Sequence, residues 1–187
     1  PSSVGASIVI IGVSMVRVRS APGAVVGQSA GHAVADLPAV SGHRVRELTR
    51  EDLPAMREVL GRAFADDPIM DHVFAGRRDV ERRTGLLYAL FCRSHLDLGR
   101  CLTTEERAGA ALWTAPGRWR MSRGDQLKML PGLLRSIGLR LPRMLADFEM
   151  MERFHAQMPP DHWYLAVLGT DPPHQGRGVG RALVEPV

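Results

Sequence analysis

The passage that most constrains how this chain can fold runs from His162 to Leu183 and reads HWYLAVLGTDPPHQGRGVGRAL. Trp163 to Leu168 is an aromatic and aliphatic run, the composition of a strand buried on both faces. Gly169, Asp171, Pro172 and Pro173 stop it. Gln175 to Gly180 then alternates glycine with other residues, and Arg181 to Glu185 resumes with helix formers. A strand that leads through such a turn into a helix presents backbone N–H groups free of side-chain crowding, at the positive end of a helix dipole. That arrangement suits an anion, phosphate above all.

Glycines in a turn also serve a left-handed backbone or close packing with no ligand involved. Two well-known phosphate motifs do not fit. Gly176, Gly178 and Gly180 have the wrong spacing for the dinucleotide fingerprint, and no acidic partner follows about 20 residues on. A phosphate loop ending in Gly-Lys-Ser/Thr is absent, because the chain's only lysine is Lys128. Gln175-Gly176-Arg177-Gly178-Val179-Gly180 instead resembles the Q/R-x-x-G-x-G/A motif of the GCN5-related N-acetyltransferase (GNAT) superfamily. Trp163 to Thr170 looks like that superfamily's central strand. The resemblance implies an α/β fold with a mixed sheet and acetyl-CoA as cofactor. It also implies cofactor contacts from Val167, Leu168, Gly169 and Thr170 on the strand and from Gln175, Gly176, Arg177, Gly178, Val179 and Gly180 in the turn.

The remainder is compatible with one domain. The 187 residues are 45% hydrophobic and 24% charged, ordinary for a globular protein with a substantial core. Cys92 and Cys101 have no Cys/His cluster around them, which argues against a disulfide scaffold or zinc site and makes a reducing, cytoplasmic setting the default. Ile8 to Met15 is too short to span a membrane and follows no basic segment. Residues 1–43, rich in Ser, Gly, Ala, Val and Pro, read as a poorly ordered extension with one strand-like piece, Ala6 to Val18.

From His43 onward the text becomes domain-like. Arg44 to Leu48 alternates as a strand, and Thr49 stands as N-cap with Asp52 three positions on. Leu53, Met56, Val59, Leu60, Ala63 and Phe64 mark a helix face that Asp66-Asp67-Pro68 ends. A second helix, Asp79 to Leu98, carries Leu86, Leu87, Leu90, Phe91 and His95 on its apolar stripe and closes at Gly99. Cys101 to Thr104 and Gly109 to Thr114 read as strands joined by a charged turn. This layout of helices around a sheet is the order the superfamily implies. Arg46-Glu47-Leu48, Ala63 to Pro68, Ala111 to Pro116 and His162 to Leu165 resemble the puromycin N-acetyltransferase type within it.

Gly117 to Pro159 carries eight basic residues against four acidic ones, an excess equal to the chain's formal net charge of +4. Apolar residues recur at near-helical spacing, and Pro131 and Pro142 are expected to break the run into short helices. A solvated face, a surface that draws in an anionic cofactor, and a nucleic-acid footprint are the three readings. Nucleic acid is disfavoured by the lack of aromatic interleaving and of any helix-turn-helix or zinc-finger spacing. Membrane contact is disfavoured because prolines and two-sided charge interrupt the amphipathic face.

Acetyl transfer needs a neutral amine, a polarised thioester carbonyl and a proton for the leaving thiolate. The resemblance places the carbonyl contact on backbone N–H near Leu168, with the acceptor the primary amine of a small molecule. Glu152 is the candidate base, set against an ordinary surface ion pair; His155 and His162 are weaker candidates, and His174 is read as helping to orient the pyrophosphate turn. The superfamily's acid is commonly a later tyrosine, and neither Tyr88 nor Tyr164 matches its place. The resemblance also implies a further strand, a helix and C-terminal strands beyond Val187, so 44–187 is expected to be an incomplete, C-terminally truncated domain of low activity and weak coenzyme A affinity. A homodimer, or an inactive interaction module on the same fold, is left open.

Overall fold

In the computed structural model the described residues are 42–118, 122–142, 144–146, 153 and 162–187. The expected extension and its strand-like piece fall on residues outside this set, save for the last two positions. Four strands, β1 (Val45–Glu47), β2 (Gly99–Thr104), β3 (Gly109–Thr114) and β4 (Tyr164–Thr170), form one sheet in the order β1-β2-β3-β4. A sheet flanked by helices is the α/β class expected, and its three described pairings are all antiparallel rather than mixed. The strand buried throughout is β3, which is paired on both sides; β4, paired on one, alternates between buried and half-buried residues.

Helices cover both faces. Against one pack α1 (Leu53–Ala63) and α3 (Val80–His95), with α2 (Pro68–Val73) and α4 (Arg123–Ile137) against α3, in a cluster that includes Met56, Leu60, Phe64, Leu87, Leu112, Leu133 and Val167. Against the other packs α5 (Val179–Val184), whose Val179, Ala182 and Leu183 meet Leu102, Trp113 and Leu165. The predicted face of α1 is buried, with Leu53 partly so. Its first turn is a 3-10 turn, Arg50–Asp52. The Asp52 carboxylate accepts from the Thr49 N–H at 3.0 Å, which satisfies a donor that a helix start would otherwise orphan.

The structure departs from the expected breaks twice. Asp67-Pro68 opens a helix as well as closing one: the Asp67 carboxylate accepts from the Ile69 N–H at 2.7 Å, and Pro68 occupies a first-turn position where no N–H is needed. Pro131 lies inside α4 without ending it, because the buried anchors Met129, Leu133 and Ile137 hold the helix to the core on both sides of the ring. That helix starts on Ser122, whose Oγ accepts from the Asp125 N–H at 3.1 Å, and ends at Gly138, with φ of 69°. Its outer side leaves Leu127, Leu130 and Leu134 exposed.

The buried face of α3 is rotated from the predicted stripe, to Thr84, Gly85, Leu87, Tyr88 and Cys92. Close approach of α1 at Gly85 is the cause, and Leu86, Leu90 and Phe91 are left at the flanks. Tyr88 is wholly buried and stacked on Phe64 at 4.3 Å between ring centroids. Its hydroxyl finds no hydrogen-bond partner among the described residues, and burial, with Asp67 nearby, pushes its pKa far up. Tyr88→Phe is therefore expected to leave stability unchanged or raise it by up to about 1 kcal/mol, since only an unpaired polar group is lost. Urea unfolding of the two proteins checks this, and a clear loss of stability would contradict it.

Candidate functional site

Strand β4 reaches its end under two constraints. Its register against β3 runs Leu112↔Val167 and then Trp113↔Leu165, which leaves Ala166 with no partner across the ladder. This bulge turns the strand over: Val167 joins the cluster under α1, and Leu165 joins the one under α5. Two residues on, α1 lies directly against the strand. A Cβ added to Gly169 would stand 2.6 Å from Leu60 Cδ2 and 2.9 Å from Phe64 Cε2.

Past Thr170 the chain is tied down repeatedly. The Asp171 N–H donates to the Ala108 carbonyl at 2.9 Å, and its carboxylate accepts both Nε (2.9 Å) and Nη2 (2.8 Å) of Arg62. A 3-10 turn, Pro172–His174, follows, and Gln175 Nε2 reaches back to the Thr170 carbonyl at 3.2 Å. Gly176 and Gly178 have φ of 74° and 87°, the left-handed region where a side chain is strained, so these two glycines shape the turn itself. Gly178 caps α5, and the His43 ring nitrogen Nε2 lies 3.0 Å from the Arg177 carbonyl.

The outcome is an array of donors. The backbone N–H groups of Gly176, Arg177, Gly178, Val179 and Gly180 have no acceptor among the described residues. Space is open beside them: a Cβ on Gly176 would meet nothing within 4 Å, and one on Gly180 only Thr170 Oγ1, at 3.8 Å. Arg177 extends into solvent next to the same turn. Chemically this is a cradle for an oxyanion, bounded on one side by the end of β4.

The structure thus brings the sequence-predicted residues Val167 to Thr170 and Gln175 to Gly180 into one continuous strand, turn and helix start. Glu152 and His155 lie outside the described residues. His162 and His174 are half-buried, before β4 and in the 3-10 turn respectively. Tyr164 opens β4, where burial raises its hydroxyl pKa, and Tyr88 belongs to the core. Three participants went unread in the sequence: Ala166, Arg62 and His43. Asp171 was read only as a strand stop, for which an Asp before two prolines is sufficient reason. No local pattern announces a partner 109 residues away.

No family model matches the chain. Among solved structures it is similar to one described as histone acetyltransferase HPA2 and related acetyltransferase from Corynebacterium glutamicum ATCC 13032, with a TM-score of 0.56 and 26% sequence identity. The match covers 76% of this chain and 68% of that one. With its antiparallel sheet, its flanking helices and the glycine turn after β4, the chain shares the GCN5-related N-acetyltransferase fold with that protein.

Proposed function

We propose that the chain binds acetyl-CoA and transfers its acetyl group to the primary amine of a small molecule. The observation that carries this reading is the row of five N–H groups at Gly176 to Gly180 with no acceptor among the described residues, in a fold shared with an acetyltransferase. Those groups would hold the pyrophosphate, with Gln175 and Arg177 at its edge. Backbone of Val167, Leu168, Gly169 and Thr170 would run beside the pantetheine arm. The open space at Gly176 and Gly180 is what phosphate oxygens would occupy. When bound, acetyl-CoA supplies an acyl thioester open to attack by a neutral amine. The chain's own part is to orient the thioester, exclude water and take up the amine proton, for which Glu152 is the proposed acceptor.

The test is a titration of isotope-labelled protein with coenzyme A, followed by the amide resonances of the turn, a readout that registers even weak binding. Residues 176–180 are expected to shift. Gly178→Val should cut the affinity at least about tenfold, because charged hydrogen bonds are worth roughly 1.5–3 kcal/mol each and a β-branched residue is strained at a φ of 87°. Equal affinity in the variant, or no response of the turn in the parent protein, would remove the cofactor reading. Release of thiol from acetyl-CoA on addition of primary amines would then test transfer.

A further inference from the structure

We propose that Arg62 is a positioning residue for the turn at Gln175 to Gly180, acting through the carboxylate of Asp171; its role in affinity rests on reading that turn as a coenzyme A site. Asp171 sits at the joint between β4 and the turn, one residue after the last of the strand and four before Gln175. Its backbone is pinned on both sides, by its N–H to the Ala108 carbonyl and by its own carbonyl, which accepts from the His174 N–H at 2.8 Å. Its side chain takes a two-pronged grip from Arg62 Nε and Nη2, at 2.9 and 2.8 Å. A paired fork of this kind fixes angle as well as distance, which a lysine at the same place would not.

Arg62 is well placed to transmit position. It follows by two residues Leu60, the side chain against which Gly169 is packed, so one turn of α1 meets the end of β4 by shape and then by charge. The pair has an electrostatic consequence too. Asp171 is 7% exposed, and without a cation it would place a bare carboxylate next to a turn built to attract anions. Arg62 cancels that charge while holding the joint in place. Neither residue belongs to the row of N–H donors: the pair acts on the ligand by holding the turn and by removing the carboxylate's repulsion.

Coenzyme A titrations of Arg62→Met, Asp171→Asn and the double variant, with turn amide shifts recorded in the free and titrated proteins, test this. Arg62→Met is expected to weaken binding about tenfold, and Asp171→Asn by less. The double variant should be no weaker than Arg62→Met, because Arg62 acts through the carboxylate that Asp171→Asn removes, and stronger to the extent that the uncompensated charge adds to the loss. A double variant weaker than Arg62→Met by the full factor that Asp171→Asn costs alone, or Arg62→Met with unaltered affinity, overturns the proposal. Should Arg62→Met fail to fold, Arg62→Lys serves, with about a threefold loss expected and no loss overturning it. If the parent protein itself shows no response to coenzyme A, the cofactor reading is what fails. Positioning is then judged on the free proteins, where displaced amide shifts at Gly176 to Gly180 in Arg62→Met support it and unchanged shifts overturn it.

Discussion

Replacing Asp52 with alanine is expected to cost the domain about 3 kcal/mol, a large share of what holds a domain of this size folded. Asp52 is 1% exposed, and its carboxylate is the meeting point of five donors. Arg46 approaches with both terminal nitrogens, at 2.7 and 2.8 Å, and Arg107 with Nε at 2.6 Å. The Thr49 N–H and hydroxyl donate at 3.0 and 3.1 Å. Alanine would leave the two guanidinium groups facing each other across a gap and the first turn of α1 uncapped. Both arginines are partly exposed and can regain water, which keeps the cost at the lower end of the range for a broken buried pair. Urea unfolding at neutral pH measures the difference, and a change below about 0.5 kcal/mol would mean the network contributes no more than an ordinary surface pair.

The same residue gives the protein an acid sensitivity of definite sign. Hydrogen bonding to Arg46 first, opposed by burial and then reinforced by Thr49 and Arg107, holds the Asp52 carboxyl well below the usual carboxylate range. Its folded pKa is depressed, so its contribution to stability is complete above the unfolded value, near 4, and is lost as pH falls below that toward the folded value. Asp52→Asn should flatten this part of the acid limb, so the stability gap between the two proteins should be smaller at pH 3 than at pH 7. An equal gap at both would assign the acid limb to other carboxylates.

An alanine or larger residue at Gly85 is expected to be comparably damaging, for a reason unrelated to charge. Helices α1 and α3 cross with Gly61 against Gly85, backbone on backbone. A Cβ on Gly85 would run into the Arg57 carbonyl oxygen, and one on Gly61 would stand 2.9 Å from the Glu81 carbonyl oxygen. Main-chain atoms cannot swing aside as a side chain can, so the helices must separate, at a cost of about 3 kcal/mol. Alanine's better helix propensity returns at most about 1 kcal/mol, and packing decides the sign. Gly124 provides the contrast: it is exposed in the first turn of α4, and its nearest neighbour would be Ser122 Oγ at 3.7 Å. Gly124→Ala should therefore be neutral or mildly stabilising. Thermal unfolding of the two variants checks the pair of expectations, and similar melting temperatures would show that the crossing yields easily.

Helix face, strand alternation and turn chemistry were legible in the sequence wherever the determinant is local. The face of α1, the bounds of β3 and the strand, glycine turn and helix start at β4 are each written within a few consecutive residues, since side-chain period and backbone freedom act at that range. The glycine turn was legible for the same reason: glycine alone enters the left-handed region without strain, and Gly176 and Gly178 both do. The sequence was silent, or misleading, wherever a distant element settled the outcome. Pro131 ought to break a helix and does not, because core contacts on either side outweigh one missing hydrogen bond. The stripe of α3 turned because Gly85 admits the backbone of α1, a fact about two helices and not one. The bulge at Ala166 exists only in the register of β4 against β3. Asp171 read as a stop signal until folding brought Arg62 to within 2.8 Å of its carboxylate, and contacts between residues so far apart along a chain depend on every element folded between them.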